Sequence, residues 1–246
     1  MTLNPFYFGE SERQLFGMYD PARGGGGRGA VVCHPWGQEY LRAHQSVRHL
    51  ARLLARKRVH AMRFDYYGSG DSAGGDTDGS VRQWRDDVGT AIEELRDIAG
   101  LRSVGLIGVR LGAPLAVACA ADRKDVDRLV LWDPVYDGSA YVHEITGNGS
   151  EHETVEARGF LLTAPVRSEM RAITLEDFRQ ALPRTLIVST VEPDTYGGLE
   201  QTLLGAKVDV TTAHCPGPQV WEEEADFAAA GMPVAALEEI ARWMSE

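Results

Sequence analysis

Apolar positions along this chain switch repeatedly between two spacings. Runs rich in β-branched and aromatic residues fall at 6–8, 14–19, 29–33, 60–64, 104–107, 129–132, 185–189 and 207–211, and these predict strands. Between them apolar residues recur three or four positions apart, which predicts helices over 47–56, 81–98 and 114–121, near Leu199, and over 234–244. The 81–98 segment shows the pattern best, with Val81, Trp84, Val88, Ile92, Leu95 and Ile98 in helical register. The first two strands read as an opening hairpin, and residues 24–27 as a flexible glycine loop. Strands alternating with helices imply an α/β class with a mainly parallel sheet covered on both faces.

Order weakens between residues 136 and 182. Residues 139–156 are polar and rich in glycine and acidic side chains, whereas 160–173 and 175–181 carry helical spacing. In that position the segment reads as a small cap or lid inserted between core strands. Nothing marks a second domain, and 246 residues with 43% hydrophobic content can bury one full core, so 1–246 is expected to be a single unit.

Charge and cysteines narrow the partners. A formal charge of -11 argues against a nucleic-acid surface, because phosphate contacts need clustered Lys and Arg. The one basic run, 48–58, interleaves with Val47, Leu50, Leu53 and Leu54 and reads as the solvated face of a helix. Cys33, Cys119 and Cys215 are odd in number and lack C-x-x-C spacing, which points to no disulfide framework and no metal site. A reducing cytoplasm is expected. No basic region followed by an apolar stretch opens the sequence, and no run is long enough to cross a bilayer.

The chemistry concentrates at Gly108-Val109-Arg110-Leu111-Gly112-Ala113. An apolar strand runs into a glycine-flanked turn and then an apolar helix, the outline of a G-x-S-x-G nucleophile elbow with arginine at the central position. A guanidinium is charged at every accessible pH and cannot be a nucleophile, yet at a helix N-terminus it suits an anion. A second glycine-rich turn, Gly68-Ser69-Gly70-Asp71-Ser72-Ala73, matches the loose dinucleotide pattern G-x-G-x-x-A. A true fingerprint opens directly into a helix, and Gly74-Gly75-Asp76-Thr77-Asp78-Gly79 follows instead, so no cofactor is expected.

Three blocks together carry a resemblance: His34-Pro35-Trp36-Gly37-Gln38-Glu39, Arg63-Phe64-Asp65-Tyr66-Tyr67-Gly68-Ser69-Gly70-Asp71-Ser72, and the arginine elbow. The chain resembles the α/β-hydrolase superfamily, in its serine-aminopeptidase-like branch that includes the exosortase A system-associated hydrolases of the second type. The likeness spans residues 29–135 well and the rest loosely, through Leu131-Trp132-Asp133-Pro134-Val135 and Val220-Trp221. It implies an α/β-hydrolase fold with a cap insertion, and it makes Arg110 a feature of the lineage.

The resemblance also implies roles. The loop after Cys33 would supply an oxyanion-hole amide, with His34, Trp36 and Gln38 lining the pocket. Asp65 and Ser72 would fix their loop, and Tyr66 and Tyr67 would reach the pocket rim. The acid would lie at a strand end, at Asp133, Glu192 or Asp194. The histidine would follow the last core strand, where His214 comes close but Gln219, before Val220-Trp221, matches the position better. At least one triad member is therefore expected to be missing. The candidate catalytic set is Arg110, His34, Asp133 and Glu39; the candidate substrate-binding set is Trp36, Gln38, Tyr66, Tyr67, Leu111, His214 and Trp221.

Three functions are compatible with this. The first is a non-hydrolytic enzyme performing elimination, cyclisation or acyl transfer on an anionic or thioester-bearing small molecule held by Arg110. The second is a hydrolase using activated water or another nucleophile, Cys33 being less suited because it ends an apolar strand. The third is a catalytically inactive pseudo-hydrolase that binds a ligand or partner, with Arg110 in a structural ion pair to a carboxylate such as Asp133. A small-molecule partner is expected, with no nucleic acid and no membrane, and a homodimer is compatible with each.

Overall fold

A computed structural model describes residues 4–147, 152–222 and 231–246. The strands are β1 (Asn4–Phe8), β2 (Leu15–Asp20), β3 (Arg28–Cys33), β4 (Val59–Phe64), β5 (Val104–Val109), β6 (Val126–Trp132), β7 (Thr154–Ala157), β8 (Phe160–Thr163), β9 (Arg184–Ser189) and β10 (Val210–His214). The helices are α1 (Gln38–Arg56), α2 (Val81–Ala99), α3 (Gly112–Ala121), α4 (Gly138–Thr146), α5 (Ala164–Arg171), α6 (Gly197–Gly205) and α7 (Val234–Ser245). Eight strands form one sheet in the order β1-β2-β4-β3-β5-β6-β9-β10, antiparallel at β1/β2 and β2/β4 and parallel from β4 onward. No helix among the described residues is long and apolar enough to cross a membrane.

The central strands are apolar on both faces because both are covered. Val31, Leu106, Leu129 and Leu131 face a core shared with α2, α3 and the segment after β6. Val32, Ile107, Val109, Val130 and Trp132 face the other core, under α1 and α7. Each βα crossover delivers its loop to the C-terminal edge of the parallel strands, so the loops after β3, β5, β6 and β9 converge there.

Several expected boundaries shift for identifiable reasons. Helix α1 begins at Gln38, nine residues before the apolar register becomes obvious, because Glu39, Ala43 and Ser46 are buried there in place of large apolar side chains. Residues 160–173 are not one helix: β8 pairs with β7 across an Arg158-Gly159 turn in which both residues have positive φ, 51° and 88°. Residues 175–181 hold only a 3-10 turn, Leu175–Phe178, and the last strand starts later than 207 because Lys207 sits at φ 63°. The 139–156 stretch contains α4 and β7, while residues 148–151 lie outside the described set.

Candidate active site

Arg110 sits at the tip of the turn between β5 and α3 with φ 51°, a conformation costly for a residue with a Cβ. Close packing around it explains why the neighbours are glycines. A Cβ on Gly108 would lie 2.4 Å from Ala113 Cα, and one on Gly112 would lie 2.0 Å from the Cys33 carbonyl oxygen. The turn is tied to the end of β6, since Arg110 N donates to Trp132 O at 3.1 Å and Val135 N donates to Arg110 O at 3.2 Å. This is elbow geometry, with the loop after β3 packed against the start of α3.

The guanidinium is enclosed by carboxylates. Nε of Arg110 donates to Glu39 Oε1 at 3.1 Å, and Nη2 lies 3.0 Å from the same oxygen. Nη2 also donates to both oxygens of Glu144, at 3.2 and 3.1 Å. Tyr141 donates its hydroxyl to Glu39 Oε2 at 3.1 Å, and the rings of Tyr141 and Trp221 each lie 5.6 Å from the guanidinium carbon. Burial by itself would lower the Arg110 pKa, but Glu39 and Glu144 outweigh it and hold the cation above its ordinary value. Burial pushes the Glu39 carboxyl up, and Arg110 opposes that shift.

Asp133 is not the partner of Arg110 in this cluster. It is 1% exposed at φ 40°, and its carboxylate accepts from Thr190 N at 3.0 Å and from Thr190 Oγ1 at 2.5 Å. Burial raises its pKa, and hydrogen bonds from Thr190, then the Arg110 charge and the Tyr196 hydroxyl, partly offset that. Its hydrogen bonds are thus made to the β9 loop, and Arg110 acts on it only as a charge at longer range. Glu39 could take over the guanidinium because the early start of α1 places it beneath the elbow.

The other candidates divide between site and core. Trp221 stacks edge-on with Trp132 at 5.6 Å and closes one side of the arginine. Leu111 is 1% exposed and belongs to the core. Tyr66 is also buried, its hydroxyl donating to His34 O at 3.3 Å, while Tyr67 uses its amide on Asp87 and its ring against Arg13. Neither tyrosine forms part of the arginine cluster. Trp36 packs against Phe160 of the β7/β8 hairpin, and Gln38 keeps a buried Oε1 without a partner among the described residues.

His34 lies between the rings of Tyr40 and Tyr66, 4.3 and 4.2 Å away, with Nδ1 2.7 Å from Pro35 O. A carbonyl only accepts, so Nδ1 carries the proton. Burial lowers the His34 pKa, with the Pro35 and Phe64 carbonyls acting the other way. His214 stands exposed at the end of β10, beside Tyr196 in a cavity of about 290 Å³ that Arg110 and Asp133 do not line. Glu192 and Asp194 are exposed. The second glycine turn is structural: Asp65 accepts from the Tyr40 hydroxyl and the Asp71 amide, Ser72 Oγ donates to Asp65 O, and the next helix opens only at Val81 behind its Ser80 cap.

No protein-family model and no curated protein matches the chain. Solved structures do. Est1E from Butyrivibrio proteoclasticus superposes with a TM-score of 0.71 at 13% identity, covering 98% of each chain. An alpha-beta serine hydrolase homologue from Coxiella burnetii gives 0.64 at 18% identity, over 100% of this chain and 97% of that one. The esterase domain of a Rhodothermus marinus protein gives 0.68 at 17%, over 100% and 98%. The chain has the α/β-hydrolase fold, with an eight-stranded, mainly parallel sheet flanked by helices.

Proposed function

We propose that this chain is a pseudo-hydrolase: an α/β-hydrolase-fold protein that binds and does not hydrolyse, its elbow converted into a structural ion-pair lock. The observation that carries this reading is the enclosure of Arg110, whose side chain is 12% exposed between a Glu39 that is 2% exposed and the Glu144 carboxylate of α4. A nucleophile must be reachable, and an anion receptor must have a free fork. Arg110 offers no nucleophile and already has its Nε and Nη2 donors on protein carboxylates.

The test is activity-based labelling of the full chain with a fluorophosphonate, followed by peptide mapping. We expect no stoichiometric adduct. Labelling of Ser69 or Ser72 would overturn the reading. Arg110→Ser is expected to yield little p-nitrophenyl ester turnover, because triad members act as a unit and a lone hydroxyl recovers only a small part of the rate. Vigorous turnover would show that His34 or His214 is already placed as a base.

One observation favours a second reading. The Glu144 side chain is 43% exposed, unlike Glu39, so an anionic acyl substrate could replace it on the guanidinium and undergo elimination, cyclisation or acyl transfer in the pocket. Under that reading Glu144→Gln creates a carboxylate site that Arg110→Lys weakens, through loss of the planar fork. Under the pseudo-hydrolase reading Glu144→Gln gains no carboxylate binding that Arg110→Lys can weaken.

A further inference from the structure

A cavity of about 260 Å³ lies between α1 and strands β2 and β4, and neither Arg110 nor Glu39 lines it. Its walls include Phe16, Met18, Phe64 and Val47, and its polar end holds Arg63 and His44. Register places the arginine there. Met18 and Arg63 are Cα partners across β2/β4, and Val32 of β3 pairs with Arg63 on the other side, so these side chains share the sheet face under α1.

Arg63 is 7% exposed, and among the described residues its Nε and Nη2 have no hydrogen-bond partner. Asp20 Oδ2 pairs with Nη2 as an ion pair at 3.6 Å, beyond hydrogen-bond length, and is itself without a hydrogen-bond partner. Two carboxylates line the cavity itself, Asp65 and Asp71, and Asp65 is already engaged by the Tyr40 hydroxyl and by the Asp71 amide, at 2.5 and 3.0 Å. Nε and Nη2 are the donors on one edge of a guanidinium, the edge that grips both oxygens of a carboxylate. Buried donors are rarely left unmade, and the apolar walls leave room beside this pair for a compact body. His44 lies at the same end: burial, then Arg63 and Arg48, hold its imidazole below its ordinary pKa, with Asp65 acting the other way.

We propose that this cavity is a binding site for a small-molecule carboxylate with a compact apolar or aromatic body, its carboxylate clamped by Nε and Nη2 of Arg63. This goes beyond the pseudo-hydrolase reading by locating a ligand away from the elbow, and it stands on residues the elbow does not use.

Calorimetry on the full chain with sodium benzoate tests it. The expected result is saturable one-to-one binding, weakened at least about ten-fold by Arg63→Met and tightened by Asp20→Asn, which removes the competing carboxylate. Benzyl alcohol, matched in shape but uncharged, is expected not to compete. Bound benzoate is also expected to raise the His44 pKa in an NMR titration of the wild type, a readout that holds if Arg63→Met fails to fold. Arg110→Ala retains the binding. Absence of benzoate binding by the wild type, or binding left unchanged by both Arg63→Met and Asp20→Asn, overturns the proposal and leaves the elbow reading standing. Binding lost with Arg110→Ala and kept with Arg63→Met moves the ligand to the elbow and overturns both.

Discussion

The two carboxylates on Arg110 differ in worth because they differ in burial. Glu39 is 2% exposed in its side chain, so removing its cation leaves a charge that water cannot reach, a loss of about 3–5 kcal/mol for buried pairs. Glu144 is 43% exposed, and pairs of that kind contribute about 0–1 kcal/mol. Arg110→Ala is therefore expected to lower unfolding free energy several-fold more than Glu144→Gln, measured by urea denaturation at neutral pH. Adding Glu39→Gln to Arg110→Ala should recover part of the loss, since the uncompensated carboxylate is then gone; additive losses would show that the two residues do not act as a pair. At this scale the sequence showed that position 110 is a cation at an elbow, but not which acid meets it. Asp133 was the natural candidate at a strand end, and Thr190 takes it, a side-chain contact between loops 57 residues apart that no local pattern encodes.

Helix α4 carries the residues that sequence reading missed, Tyr141 and Glu144, and its start was legible. Asp137 accepts from Ala140 N at 2.9 Å as an N-cap, and Tyr141, Val142 and Ile145 are buried at helical spacing. Glycines and acids around these three dilute the signal, so the stretch reads as a polar part of a cap without a helix of its own. The β7/β8 hairpin was hidden for a different reason, because its four-residue strands are too short for periodicity to separate from a helix. Core strands were found readily, since burial on both faces makes them continuous apolar runs. Asp137→Ala removes the cap and is expected to cost about 1 kcal/mol. Because α4 holds Glu144 and Tyr141 over the elbow, the same variant should increase hydrogen exchange at the α4 amides. Unchanged exchange there would mean that the helix is held by its buried face alone.

For the molecule as a whole, burial of both acidic and basic titratable groups sets a pH profile that composition does not reveal. Burial raises the carboxyls of Asp20, Glu39, Asp87 and Asp133, and a carboxyl with a raised folded pKa lends stability that is present below its unfolded value and lost as pH rises through the folded one. His34, His44 and His60 are lowered, again chiefly by burial. A histidine with a depressed folded pKa binds fewer protons folded than unfolded, so its stability is complete above about pH 6.5 and falls as pH drops below that. The two groups pull in opposite directions between about pH 4 and 6.5, and a wild-type curve alone does not separate them. His34→Phe does, because it keeps a ring between Tyr40 and Tyr66 while deleting one proton site. The stability of the wild type relative to His34→Phe is expected to hold level from pH 8 to about pH 7 and to shrink from there to pH 5 in chemical denaturation. A difference that stays flat over that range would mean that His34 is not held neutral in the fold, and the loop after β3 would then carry a charge beside the elbow.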